Sequence, residues 1–407
     1  MSALVPLEVA RTLVLASCSP LAVERIALAD ALGLVTAEPV VATESVPPFA
    51  NTAMDGYAVR AGDTAGAPVT LAVVGTLAAG AAPSATVGPG QALRIMTGAP
   101  IPPGADAVVM VERTTTSDDG GAVTVEAAAQ VGDHVRGAGE DIAAGQEVFP
   151  VGTVLEAGHL GVLASIGHAD VPVHRRARVA VLSTGDELVD DGGPLAPGQI
   201  RDTNRRTLLA LVAQSGAVAV DLGLARDDEA AITRAIEDAV TGCDAVLTSG
   251  GVSVGDFDYV KQVLDRLSAG GFQWLQIAIR PAKPFAFGSI RGVPVFGLPG
   301  NPVSSMVSFE LLARPGIRQL MGHRVLDRPT VMAVADEALP RRPDGKTHYA
   351  RVRATYGEDA RFHVRSSGGQ ASNLLRSMAL ANALAVLPDG SGVVAGGDVA
   401  AMLLTWA

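Results

Sequence analysis

Three stretches of this 407-residue chain are polar and rich in turn-forming residues, and two of them carry acids. Residues 244–260 read DAVLTSGGVSVGDFDYV: a short apolar run, a turn carrying Gly250, Gly251 and Gly255, then a helix-like start from Asp256 onward. A strand, a flexible turn and a helix N-terminus together form an anion cradle, because free backbone N–H groups and the helix dipole both point at the loop. STGDEL (183–188) and GLPGNPVSS (297–305) are turns of the same kind. Yet Asp186, Glu187, Asp256 and Asp258 bring carboxylates to these turns. Carboxylates tolerate a phosphate when a hard cation lies between them, and Mg²⁺ typically takes one or two carboxylates plus phosphate oxygens. The acids therefore read as a metal bridge to a pyrophosphate or phosphomonoester. The alternative is that Asp256 or Asp258 caps the following helix. The G-G-x-x-x-G spacing is neither a Walker A loop nor a dinucleotide fingerprint.

A second cluster is cationic. IAIRPAKPFAFG sets Arg280 and Lys283 close together in a stretch stiffened by Pro281 and Pro284. Two rigidly presented cations suit a small oxyanion; the alternative is a surface turn with solvated charges. Lysine is scarce, with only Lys261, Lys283 and Lys346, which marks Lys283 for attention. VPPFANTAMDGYAV (46–59), MTGAPIPPGADAVV (96–109) and GEDIAAG (139–145) are turn-like, and physics alone assigns them no chemistry.

The elements that must position these residues follow from periodicity. From Arg178, apolar strands (RVAVLS, AVAVDLGL, DAVLTS) alternate with helical runs (NRRTLLALVAQSG, DDEAAITRAIEDAV, DFDYVKQVLDRLSAGG). That alternation predicts a parallel-dominated sheet with crossover helices on both faces, and ligands bind past the carboxyl ends of such strands. FAFG, PVFGLPG and a helix from Pro302 to about Met321 complete the domain, with Asn301 at the N-cap and Pro302 at the first helical position. Upstream, a helix over Leu7–Ala16 precedes an amphipathic stretch from Glu24 to Val40, and residues 143–174 return to a helical or mixed pattern. Residues 46–142 are short β-rich runs between turn clusters, and a further β-rich segment runs from near Arg328 to Ala407.

Composition narrows the class. With 48% hydrophobic residues the chain can bury several cores, so roughly two to four domains are expected. A net charge of −11 argues against nucleic acid as a partner, since a basic face is needed to displace counterions. Cys18 and Cys243 form no CxxC, and the histidines form no HExxH pair, which disfavours structural zinc or a disulfide framework. No run of about twenty apolar residues could span a bilayer, and MSALVPLEVARTLVLAS lacks the layout of a leader. The expectation is a soluble cytoplasmic protein without membrane contact.

FANTAMDGYAV, LRIMTGAPIPPGADAVV, VRGAGEDIAAG, VLSTGDELV, GQIRDTNR, TSGGVSVGDFDYVK, PAKPFAFG and VFGLPGNPVSSMVSFE occur in this order over nearly the whole chain. Together they resemble the MoeA family, the molybdopterin molybdenumtransferases, which also occurs as the E domain of gephyrin. The resemblance implies an α/β plus β-rich, multidomain protein: an elongated helical or linker domain (1–45 and 143–174), an inserted β-rich domain (46–142), a molybdopterin-binding α/β domain (175–326) and a C-terminal β-barrel-like domain (327–407). It implies a homodimer, and Mg²⁺-dependent insertion of molybdate into adenylylated molybdopterin with release of AMP. The upstream adenylyltransferase is a candidate partner. Catalytic roles are implied for Asp55, Thr97, Asp141, Glu187, Asp228 (with Asp227 the adjacent alternative) and Asp258, with Glu187, Asp228 and Asp258 on the metal. The substrate would lie along Gly250, Gly251, Ser253, Gly255, Pro299, Gly300, Asn301 and Pro302. The molybdate region maps onto Arg280, Lys283, Ser304, Arg351 and Ser372. Ala282 stands where the family commonly has glycine, and Arg280 where it often has lysine or another residue. Competing readings are the pathway's adenylyltransferase, which resembles only residues 178–325, a non-catalytic molybdopterin-binding scaffold, and a paralogue serving tungstate.

Overall fold

A computed structural model of the chain describes residues 4–251 and 259–405; Ser253, Gly255, Asp256 and Asp258 lie outside the described residues. The chain forms two compact units, one of Met1–Glu24, Gly33–Ala37 and Val173–Ala407, the other of Arg25–Leu32 and Glu38–Pro172.

The first unit is built on six strands: β1 (Arg178–Thr184), β2 (Val218–Ala225), β3 (Ala245–Ser249), β4 (Gln273–Gln276), β5 (Pro284–Ile290) and β6 (Val293–Leu298). Their order is β2-β1-β3-β6-β5-β4. β2, β1, β3 and β6 pair in parallel, while β5 and β4 add an antiparallel edge. The alternating pattern produces this arrangement because β1 is apolar on both sides. Val179 and Val181 face one core with Phe296 and Ile317, and Ala180 and Leu182 face the other with Ile232, Ile236 and Val263. Burying each large side chain there contributes about 1.5–3 kcal/mol. The crossovers are α1 (Asn204–Gln214), α2 (Glu229–Gly242) and α3 (Tyr259–Leu267).

After β6 comes α4 (Pro302–Ser308), which continues through a π-helical turn at Phe309–Ala313 into α5 (Arg314–Leu320). The wide turn falls just before Pro315. A proline ring collides with the carbonyl four residues back in a regular α-helix, and a π turn moves that carbonyl away.

The N-terminal helix, Leu7–Ala16, packs Ala10 and Val14 into the first core. Residues 330–403 close into a five-stranded barrel: Thr347–Tyr356, Phe362–Ser366, Thr330–Ala335, Asp398–Leu403 and Ala383–Leu387, the last pairing back to the first. A two-residue strand, Ile279–Arg280, leaves the α/β domain and pairs in parallel with Thr347–His348 of that barrel.

The second unit carries a six-stranded sheet of Ala107–Met110, Gly56–Val59, Gln91–Ile95, Val69–Leu77, Ala122–Val125 and Thr114–Thr116, in that spatial order. Residues 24–40, expected as an amphipathic stretch of an elongated helical segment, instead contribute the short strands Val23–Ala27, Val35–Thr36 and Val40–Val41 and one turn of 3₁₀-helix. Their valines and threonine favour extended backbone, and Gly33 in the left-handed region (φ +77°) with Pro39 interrupts a helix. Residues 143–174 hold one helix, Ala157–Ser165, among strands.

A buried ion network fixes the loop after β1. Arg205 donates from Nε to Asp202 at 3.0 Å and from Nη1 to both Asp221 oxygens at 2.7 and 2.6 Å, and it also pairs with Asp190. Asp202, whose side chain is 1% exposed, further accepts from Ser183 Oγ at 3.0 Å. Removing one partner of such a pair leaves an uncompensated buried charge and costs about 3–5 kcal/mol. Arg205→Leu is therefore expected to lower the unfolding free energy in urea by about 3 kcal/mol; a loss below about 1 kcal/mol would contradict the burial of this pair.

Candidate active site

The carboxyl ends of β1, β3 and β6 meet at one edge of the sheet, and α1 begins there. Asn204, in its first turn, donates from Nδ2 to Ser249 Oγ and to the Gly300 carbonyl, each at 2.7 Å. The Gly250 N–H donates to Leu298 O at 3.1 Å, so the turns after β3 and β6 are tied together. Gly250 has φ +96° and Gly251 φ +68°, backbone that side chains rarely adopt. A Cβ on Gly250 would stand 3.1 Å from Thr184 O. Bare backbone at this edge lets a ligand approach closely.

Glu187, Gly250, Gly300 and Pro302 line one cavity of about 190 Å³, together with Asp202 and Asn204. Glu187 folds back over Gly185, where a Cβ would stand 2.6 Å from a Glu187 carboxylate oxygen. Pro299 is buried behind the turn. The neighbouring acids divide their work. Asp228 is the N-cap of α2, its Oδ1 accepting the Ala231 N–H at 2.7 Å. Asp227 donates its N–H to Asp186 Oδ1 at 3.2 Å. Its carboxyl is held above the usual carboxylate range, first by burial and further by the charges of Asp186 and Glu187. Among the described residues no three His, Cys, Asp or Glu side chains form a metal cage by themselves.

The cationic loop opens a second cavity, of about 380 Å³, walled by Arg280, Lys283, Asn301, Ser304, Lys346 and Ser372 among others. Four of the five residues expected around an oxyanion converge there. Arg280 is set by the pairing of its strand with the barrel, and Ser372 by its carbonyl, which accepts the Val303 N–H at 3.1 Å. Asn301 occupies the N-cap position of α4, makes no side-chain cap bond and lines the cavity. Arg351 stands behind this wall. It is 1% exposed, donates from Nη2 to the carbonyls of Gly369 and Ala371 at 3.0 Å each, and donates its backbone N–H to Gln370 Oε1 at 2.8 Å. Burial pulls its guanidinium down to about 10, and its Nε is buried without a hydrogen-bond partner. Arg351 holds the 369–371 loop and lines an adjoining cavity that also touches Arg280.

In the second unit, Asp55 Oδ1 accepts both the backbone N–H and the hydroxyl of Thr97, at 2.7 and 2.8 Å. Those two bonds hold the exposed Asp55 carboxyl below its usual range. Gly56 lets the following strand pack closely: a Cβ there would meet Val109 O at 2.0 Å. Asp141 is exposed in a turn fixed by its N–H to Val46 O at 3.0 Å.

Comparison with known proteins decides the family. Residues 5–167 match the MoeA N-terminal region (domain I and II), 180–319 a probable molybdopterin binding domain, and 333–404 the MoeA C-terminal region (domain IV). Molybdopterin molybdenumtransferase 2 of Mycobacterium tuberculosis is 41% identical over 391 residues, covering 94% of each chain. The chain belongs to the MoeA family. The molybdopterin molybdenumtransferase of Haemophilus influenzae is 39% identical over 379 residues, 93% of each chain. The crystal structure of a molybdopterin biosynthesis MoeA protein from Pyrococcus horikoshii superposes with a TM-score of 0.83 at 32% identity, covering 100% of both chains. The expected multidomain architecture, with its central α/β domain and C-terminal barrel, is that of this family.

Sequence reasoning passed over Asn204, although it lies within GQIRDTNR, and over Lys346, although lysine scarcity could have marked it. The family-unusual Ala282 is buried at φ +79°, in the left-handed region. That conformation costs an alanine about 1 kcal/mol against glycine, while its buried methyl returns about 0.8 kcal/mol. Ala282→Gly is accordingly expected to leave the thermal midpoint nearly unchanged. Ala282→Val, β-branched and overpacked, should lower stability by about 2 kcal/mol or more. Equal behaviour of the two variants in thermal unfolding would refute the left-handed assignment.

Proposed function

We infer that this chain is a molybdopterin molybdenumtransferase of molybdenum cofactor biosynthesis. It takes adenylylated molybdopterin and molybdate as substrates and releases AMP. The observation that carries the reading is the pair of cavities that both take lining residues from the turn 300–302: one at the sheet edge, where Glu187 and Asp202 stand with Arg201, and a cationic one lined by Arg280, Lys283 and Lys346.

The acid edge fits a hard divalent cation. Burial first, and then the charges of Asp186 and Glu187, hold the Asp227 carboxyl above its ordinary value, and a divalent cation would relieve that cost. Mg²⁺ needs only one or two protein carboxylates when phosphate oxygens complete its shell. Glu187 and an acid of the Asp227–Asp228 pair, with Asp258, would hold it. Held there, such an ion would supply positive charge to offset that of the pyrophosphate linkage. The chain's own groups do the rest. Gly250, Gly251 and Gly300 present bare backbone to the phosphates, and Asn204 keeps the two glycine turns at a fixed separation. Arg280, Lys283, Ser304 and Ser372 receive the tetrahedral dianion with cations and hydroxyl donors. Burial of Arg351 and its bonds to the 369–371 loop hold Ser372 in place.

Asp55, Thr97 and Asp141 are assigned to the same reaction, and the protein works as a homodimer in the cytoplasm, receiving its substrate from the upstream adenylyltransferase. No described helix is long and apolar enough to cross a membrane.

The deciding assay mixes purified protein with adenylylated molybdopterin, Mg²⁺ and either molybdate or tungstate, and follows AMP release and metal incorporation. Glu187→Ala is expected to slow AMP release by about a hundredfold or more while the adenylylated pterin stays bound. Unchanged AMP release by that variant would remove Glu187 from the chemistry, and a protein that binds pterin without ever releasing AMP would be a scaffold.

A further inference from the structure

The cationic cavity holds one charged residue that neither the loop motif nor the family resemblance assigns. Lys346 comes from the barrel, just before the strand Thr347–Tyr356, and lines the same wall as Arg280, Lys283 and Ser304. Its position is dictated by backbone. The Thr347 N–H donates to Ala278 O at 2.9 Å, and the Lys346 carbonyl accepts from Arg341 Nη1 at 2.7 Å. The same parallel pairing that aims Arg280 therefore delivers Lys346 beside it.

Both cations face one carboxylate. Asp344 Oδ2 lies 3.1 Å from Lys346 Nζ and 3.9 Å from Arg280 Nη1. Its other oxygen takes Arg341 Nη2 at 2.9 Å and His348 Nε2 at 3.1 Å; Arg341 is also paired with Asp389. Lys346 and Asp344 are each mostly buried, whereas the Arg280 side chain is 64% exposed. The Lys346 ammonium, on a flexible four-carbon stem, can leave one carboxylate for another anion with little rearrangement, whereas Arg341 is tied to Asp344, Asp389 and the carbonyls of Lys346, Leu387 and Pro388.

We propose that Lys346 is a third cation of the oxyanion cavity, parked on Asp344 when the cavity is empty and transferred to the tetrahedral dianion when it binds. This rests on the reading of the cavity as the molybdate site. Arg280, Lys283 and Lys346 set against Asp344 leave two net positive charges on this wall, equal and opposite to a dianion. A monoanion such as chloride matches that charge less well and gains less by displacing Asp344. Asp344 thereby makes the cavity selective for charge as well as for shape.

The test is calorimetric titration of the full-length protein with sodium molybdate, alone and against chloride. Lys346→Met is expected to weaken molybdate binding about tenfold, the scale of one charge-assisted hydrogen bond. Lys346→Arg should recover most of that loss, and both variants should keep the parent thermal midpoint. Lys283→Met is the control on the underlying reading. If Lys283→Met weakens molybdate while Lys346→Met does not, the third-cation role is wrong and the site stands. If neither substitution changes molybdate affinity, the cavity is not the oxyanion site at all. Equal weakening by Lys346→Met and Lys346→Arg, with lowered midpoints, would make Lys346 a fold residue and overturn the proposal.

Discussion

The candidate site depends on the fixed spacing of two glycine turns, one after β3 and one after β6. Parallel pairing brings both strands to the same edge of the sheet but does not fix loops beyond the last ladder bond. The Asn204 carboxamide supplies that constraint by donating to Ser249 and to Gly300 at once. Its donors are forced into these bonds because the residue is nearly buried, and a buried amide hydrogen left unpaired costs about 1–3 kcal/mol. Gly250, Gly300 and the start of α4 are placed relative to one another by this bridge, and both cavities take a wall from them.

From that edge the charge is sorted. Acids gather on the β1 and β2 side, where burial first, and then the charges of Asp186 and Glu187, hold the Asp227 carboxyl above its ordinary value. Cations gather on the barrel side, where the Ile279–Arg280 strand crosses to pair with Thr347–His348. In a chain with net charge −11, a phosphate-bearing or oxyanion ligand is otherwise repelled. The local concentration of arginine and lysine, reached through a two-residue strand pairing, reverses the sign of the field where it matters.

Much of this was legible beforehand, and the exceptions have definite causes. Between Arg178 and Leu320 the longer strands and the helices follow from apolar runs, amphipathic periods and the GLPGNP turn, whereas the edge strand Gln273–Gln276 and the two-residue strands Leu188–Val189, Ile200–Arg201 and Ile279–Arg280 carry no such local signal. Residues 24–40 do not form the expected amphipathic helical segment, since their valines favour strand and Gly33 breaks the run. The Asp227–Asp228 pair could not be resolved from spacing. Adjacent residues at a helix start point in different directions, and only the backbone turn decides that Asp228 caps α2 while Asp227 meets Asp186. Arg351 reads as a cation, yet in three dimensions two of its hydrogen bonds go to carbonyls of the loop it supports.

The amino-acid sequence by itself determined which chemistries were available: glycine turns for phosphate, acids for a hard cation, a proline-stiffened pair of cations for an oxyanion, and the family they spell together. These are properties of residue type and near-neighbour spacing, so they survive without coordinates. Only the tertiary structure decided which of these groups share a cavity. Asn204 bridges turns 45 and 96 residues away, and Lys346 reaches Arg280 through a strand pairing that no local pattern announces. Such contacts depend on how sheet and barrel register against each other, a long-range packing outcome that periodicity in one segment cannot encode.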